Sequence, residues 1–189
     1  MRLFIALHLP SQVQAALAQA QSSLRRELDS PALRWTRPES THLTLLFLGD
    51  VAAGDVIAVA EKLRTACASF PAFELEISGA GCFPHARRPR VLWLGLDGDL
   101  DALYVLAARV TTECGIFSER LANKPFHPHL TLARIKIDYE IVGRRLHQTL
   151  PTLTATPAHW RVESVELMSS DLLPSGPQYA VVQSVALRF

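Results

Sequence analysis

A pattern of strand, helix, proline turn and strand occurs twice in this chain, and each copy ends on the same four-residue motif. The first copy reads RLFIALHLP, a helix, then RPESTHLTLLFLG; the second reads RVLWLGLDG, a helix, then KPFHPHLTLARI. The motif is His42-Leu43-Thr44-Leu45 in the first copy and His129-Leu130-Thr131-Leu132 in the second, 87 residues later. Such a repeat restricts the fold to two similar halves, and a pseudo-twofold axis between them would carry both motifs to one central cleft. With 7 histidines and 11 threonines in the chain, chance predicts only about 0.1 occurrences of His-apolar-Thr-apolar. A matched pair therefore asks for a functional account.

Around the repeat, hydrophobic period and turn residues give the remaining elements. A buried strand is expected over 2–9, stopped by Pro10. Ser11 is placed to cap a helix over 11–28 that puts Val13, Ala16, Leu17, Ala20 and Leu24 on one face. Residues 30–40 are turn-rich, 41–48 is a strand, Asp55 is placed to cap a helix over 56–69, and 73–77 alternates as a half-buried strand. The Gly-, Pro- and Arg-rich stretch 79–90 reads as a loop. A strand over 91–96 follows, then a helix over 99–117 capped by Asp99, a turn at Lys124-Pro125, a strand over 129–135 and a helix over 139–149. Two late strands, near 160–168 and 179–189, flank a loop at 173–177.

Length fits one domain over residues 1–189, built from two lobes, large enough to bury roughly 70% of its unfolded surface. Hydrophobic residues make up 49% and charged residues 20%, an ordinary globular balance that excludes a disordered chain. The net charge of +1 supplies no global field toward nucleic acid or membrane. Of the 19 basic residues 16 are arginine, which suits bidentate phosphate contacts and is equally a signature of base composition. Cys67, Cys82 and Cys114 have no C-x-x-C spacing, so a reducing compartment fits. No apolar run approaches the ~20 residues of a membrane span or forms a secretory signal, and the cytoplasm is the expected location. No exposed heptad argues for an oligomer, so a monomer is expected.

Side chains alternate along a strand, so His42 shares a face with Thr44, and His129 with Thr131, while the leucines face the core. Three readings compete. Each histidine can be a locally bonded residue of a half-buried strand. His127 and His129 alternate onto one face and can hold zinc, but a third ligand is not evident nearby, so no metal is expected. The third reading is acid–base catalysis. With a reference pKa of ~6.5, one imidazole can take a proton from an attacking water while the other gives one to a leaving oxygen across the phosphorus. Thr44 and Thr131, about 7 Å along the strand from their histidines, can donate to non-bridging phosphate oxygens. Catalysis is the reading the pairing favours. His8, His85, His147 and His159 have no motif context.

The stretches MRLFIAL, RWTRPESTHLTLLFLGDV, GCFPHARRPRVLWLGL and FHPHLTLARI resemble the two-histidine phosphoesterase superfamily across the whole chain. The resemblance is to the bacterial RNA 2′,3′-cyclic phosphodiesterases, once called 2′-5′ RNA ligases. It implies an α+β, bilobal, pseudo-twofold LigT-like fold, with two antiparallel sheets lining a central cleft and helices outside. It also implies cofactor-free cleavage of a terminal ribose 2′,3′-cyclic phosphate to a 2′-phosphomonoester. His42 would be the proton donor, His129 the acceptor, and Thr44 and Thr131 the phosphate holders. The implied partners are RNA ends, possible tRNA fragments among them, or small cyclic nucleotides. Phe47 and Arg134, each three residues past its threonine, can sandwich a base; core packing for Phe47 and a solvated strand end for Arg134 is the other reading. Arg87, Arg88 and Arg90 can touch RNA phosphates or simply be solvated. The alternative functions are 2′-5′ ligation by the reverse transfer, an RNA-end-binding module without turnover, and a zinc hydrolase.

Overall fold

The computed structural model describes residues 1–28, 30–118, 125–153, 156–173 and 176–188. Lys124 of the expected turn, residues 174–175 of the expected late loop, and Phe189 lie outside them. Nine strands and four α-helices follow in chain order: β1 Arg2–Leu7, α1 Ser11–Leu28, β2 Leu33–Trp35, β3 Leu43–Asp50, α2 Val56–Cys67, β4 Phe73–Phe83, β5 Val91–Gly98, α3 Leu100–Cys114, β6 Leu130–Ile135, α4 Tyr139–Thr149, β7 His159–Val162, β8 Ser164–Leu173 and β9 Gly176–Ala186. They form two antiparallel sheets, ordered β3-β1-β8-β9 and β2-β6-β5-β4-β7. Apart from β2, the two orders match strand for strand, so β3 and β6, which follow the two motif histidines, hold equivalent places.

The first helix of each half is exchanged with the other. Arg145 of α4 donates to the Leu28 carbonyl at the end of α1, and Gln21 of α1 donates to the Leu132 carbonyl in β6. This places α1 and α4 on the five-stranded sheet. On the other sheet, α2 and α3 pack together against β3, β8 and β9, joined at the surface by Lys62 and Glu113 at 2.9 Å. The first helix of each half, α1 or α3, thus covers the sheet of the other, while α2 and α4 stay with their own. Amphipathicity dictates the contacts: Val13, Ala16, Leu17, Ala20, Leu24 and Leu28 of α1 are all buried, as are Leu103, Leu106, Ala107 and Val110 of α3.

Several expectations change. β4 runs on to Phe83, so the first five residues of the expected 79–90 loop are strand, and most of them pair with β5. The turn-rich 30–40 stretch holds the short strand β2. The expected strand near 160–168 is two strands in different sheets, divided at Glu163. Pattern alone cannot see a strand change sheets, because both pieces alternate. Ser11 lies inside α1, whose first turn bonds back to the Pro10 carbonyl. Neither Asp55 nor Asp99 makes a capping bond; the Asp99 carboxylate accepts from the Glu74 amide at 2.9 Å instead.

Candidate active site

His42 and His129 stand one residue before β3 and β6, not within them. Each imidazole is held the same way. Nδ1–H of His42 donates to the Ser40 carbonyl at 3.1 Å, and Nδ1–H of His129 donates to the His127 carbonyl at 2.8 Å. A carbonyl only accepts, so both bonds fix the proton on Nδ1 and leave Nε2 as the free nitrogen. Aromatic walls complete the mounting. The His42 ring stacks on Phe4 at 4.5 Å and meets the edge of Tyr179 at 5.1 Å. The His129 ring meets Phe83 edge-on at 5.0 Å, with Trp93 behind it at 6.5 Å. Gly81 lets the Trp93 indole lie against its backbone; a Cβ there would collide with the ring.

Both strands carry a β-bulge at the same point of the motif. Ile5 pairs with Leu46 and Ala6 with Thr44, which leaves Leu45 without a partner; Leu92 pairs with Ala133 and Trp93 with Thr131, which leaves Leu132 without one. An inserted residue shifts the period of two, so residues three apart come to share a face. Arg134 thereby joins Thr131 in the cleft, while Leu132 and Ala133 are both fully buried. The same shift turns Phe47 outward, 42% exposed, with the Arg2 guanidinium 4.9 Å over its ring. The carbonyls freed by the second bulge are taken up from outside the motif. The Thr36 hydroxyl lies 2.7 Å from the Thr131 carbonyl and 2.9 Å from that of Leu132, and the Gln21 amide donates to Leu132 at 3.0 Å and to the Thr36 carbonyl at 2.9 Å.

His42, Thr44, His129, Thr131 and Arg134 line a single cleft of about 440 Å³. Phe47 is not in its lining, and neither are Arg87, Arg88 and Arg90; Arg88 and Arg90 lie over the ring of Tyr139, the first residue of α4. His127 lines a neighbouring cavity with Phe83, Trp93 and Tyr104. Sequence reasoning passed over Arg34, Arg37, Lys136 and Tyr179, which also line the cleft. The arginines sat in a stretch read only as turn, and Tyr179 reaches the site through the hairpin of β8 and β9. No Asp or Glu among the described residues is in the lining. Among the described residues no three His, Cys, Asp or Glu side chains gather as metal ligands would.

Burial lowers the pKa of His42 below the usual imidazole value, against the pull of its Ser40 bond, and the charge of Arg134 lowers it further. His129 is lowered for the same reasons, burial first, with Arg134 and His127 adding to it against the His127 carbonyl bond. Both imidazoles are therefore mainly neutral at pH 7, and Arg134 stands close enough to act on each. The cysteines take no part: burial pushes Cys67 to about 11 and Cys114 to about 12.

A bilobal fold with a cleft lined by arginines, a lysine and two matched imidazoles is built for an anionic ester. The model of the LigT-like phosphoesterases matches the chain twice, over residues 7–93 and 94–179, once for each half of the repeat. The RNA 2′,3′-cyclic phosphodiesterase of Thermus thermophilus is 36% identical, over 100% of this chain and 91% of its own length. That of Aquifex aeolicus is 31% identical, over 91% and 92% respectively. The crystal structure of E. coli LigT with 3′-AMP superposes with a TM-score of 0.75 at 26% identity, covering 98% of this chain and 97% of that one. Kluyveromyces marxianus Usb1, at 14% identity and a TM-score of 0.58, shares the fold. The class is thus an enzyme acting on phosphoesters. The chain belongs to the LigT-like phosphoesterase family.

Proposed function

We propose that the protein hydrolyses the 2′,3′-cyclic phosphate at RNA ends to a 2′-phosphomonoester, without a metal. The observation that carries this reading is the matched mounting of His42 and His129 in one cleft, each with Nε2 free. Water adds to phosphorus as the bond to the ribose 3′-oxygen breaks. Nε2 of His129 takes the proton of the attacking water, and Nε2 of His42 supplies the proton to the leaving 3′-oxygen. Thr44, Thr131 and Arg134 hold the non-bridging oxygens as charge builds on them. Before substrate enters, burial and Arg134 keep both imidazoles mainly neutral; the incoming anion offsets Arg134 and allows His42 to bind its proton. The names of the Thermus and Aquifex relatives support the substrate.

The test is turnover of an oligoribonucleotide ending in 2′,3′-cyclic phosphate, in EDTA, with phosphorus NMR reading the product position. Metal-free release of a 2′-phosphate is expected. His42→Ala and His129→Ala should each lower kcat by about 10²–10⁴-fold. Tight binding of the cyclic end without turnover by the wild type would instead make the protein an RNA-end-binding module.

A further inference from the structure

The cleft holds more positive charge than one cyclic phosphate can use. Arg34, Arg37, Arg134 and Lys136 all line it, and none of the four has a carboxylate partner among the described residues. The chain as a whole carries only +1, so this excess is local and not inherited from composition. A cyclic phosphodiester brings one negative charge. Arg134 lowers the pKa of both imidazoles and so belongs to the reacting phosphorus; Arg34, Arg37 and Lys136 remain.

Their setting is built. Arg34 in β2 stands directly opposite Arg134 in β6, on the same face of the sheet. Like charges in that register repel unless an anion lies between or beside them. The next residue, Trp35, packs against the core, also borders the cleft, and carries the Arg25 guanidinium of α1 4.8 Å over its ring. That contact braces β2 next to Arg34. Across the opening, the Arg34 guanidinium lies 3.6 Å from where a Cβ on Gly176 would stand, an ordinary contact distance. Arg37 opens the turn whose Ser40 carbonyl orients His42.

We propose that Arg34, Arg37 and Lys136 form a second anion subsite that takes the phosphate on the 5′ side of the reacting nucleoside. In an RNA end this is the next phosphodiester, so the cleft selects chain ends over nucleoside 2′,3′-cyclic monophosphates. The inference rests on the cyclic phosphodiesterase reading of the cleft.

The experiment compares kcat/KM for three substrates: a nucleoside 2′,3′-cyclic monophosphate, a dinucleotide ending in the same cyclic phosphate, and that dinucleotide with a neutral methylphosphonate linkage. The dinucleotide should exceed the mononucleotide by about tenfold or more, and the methylphosphonate should lose the gain. The gain should shrink with added salt, because the extra contact releases counterions. In an Arg34→Ala/Lys136→Ala double variant the dinucleotide-to-mononucleotide ratio should fall toward one. Misfolding lowers both rates together and leaves the ratio as in wild type, so the ratio reads the subsite alone; a ratio unchanged in folded double variant overturns the proposal. Equal rates for all three substrates in the wild type also overturn it. No turnover of any of them would instead overturn the phosphodiesterase reading beneath it.

Discussion

Each motif histidine is defined by what its Nδ1 bonds to, and that small contact has a measurable consequence. With both pKa values held below 6.5, chiefly by burial, a mechanism needing one protonated and one neutral imidazole gives a bell-shaped kcat/KM centred below pH 6.5. The alkaline limb should fall about tenfold per pH unit. The kcat profile should lie to the alkaline side, because bound phosphate restores the charge that Arg134 opposes. The same direction bears on stability. An imidazole whose pKa is lower in the folded state contributes fully above about pH 6.5. That contribution is lost as pH falls through the folded values, so denaturant midpoints should decline on acidification through this window, less so in His42→Ala. Phe47→Ala tests whether a base stacks on this ring, which the bulge turns to the Thr44 side outside the cleft lining. A rise in KM with little change in Tm is expected, since an open ring 42% exposed contributes little to the core. A large loss of stability with KM unchanged would exclude that role.

At the scale of elements, the bulges decide what the strands present. Alternation read from the sequence puts Phe47 and Arg134 on the faces opposite Thr44 and Thr131; an unpaired leucine between the two residues of each pair, Leu45 or Leu132, reverses this. No residue type signals these bulges, since Leu45 and Leu132 look like any other core leucines. The second is held by groups far away in sequence, Thr36 and Gln21. Gln21→Leu removes one of three donors to the buried Leu132 carbonyl, which keeps the amide and hydroxyl of Thr36, and should cost about 0.5–1.5 kcal/mol. Because that carbonyl sits between Thr131 and Arg134, kcat should fall as well, beyond what the fraction unfolded at assay temperature explains. Gly81→Ala should act on the same wall, driving the Trp93 indole toward His129 and costing about 1–3 kcal/mol by overpacking. Thermal unfolding with kcat measured in parallel checks both.

Across the whole molecule, the exchanged helices tie the lobes together. Since α1 covers the sheet that carries β6, and α3 packs against β3 of the other, neither half buries its own sheet alone. Calorimetry should therefore show one unfolding transition, with calorimetric and van't Hoff enthalpies equal. A chain divided in the β4–β5 connection should yield two fragments that are unfolded apart. Among the described residues no helix is long and apolar enough to cross a membrane.

Much of this was legible beforehand. The repeat, the four motif residues, the buried face of α1 and the family follow from the order of residues, because period and spacing are local properties of a chain. The membership of β7 and β8 in different sheets, the exchange of helices and the meeting of Arg34 with Arg134 across β2 and β6 are different in kind. They join residues about a hundred positions apart, and one sequence carries no local mark of such contacts. The identity of the two imidazoles is written in the order of residues; tertiary structure alone decided their burial, their free nitrogen and the cations around them. Those depend on which distant groups exclude water and which backbone carbonyls lie within reach.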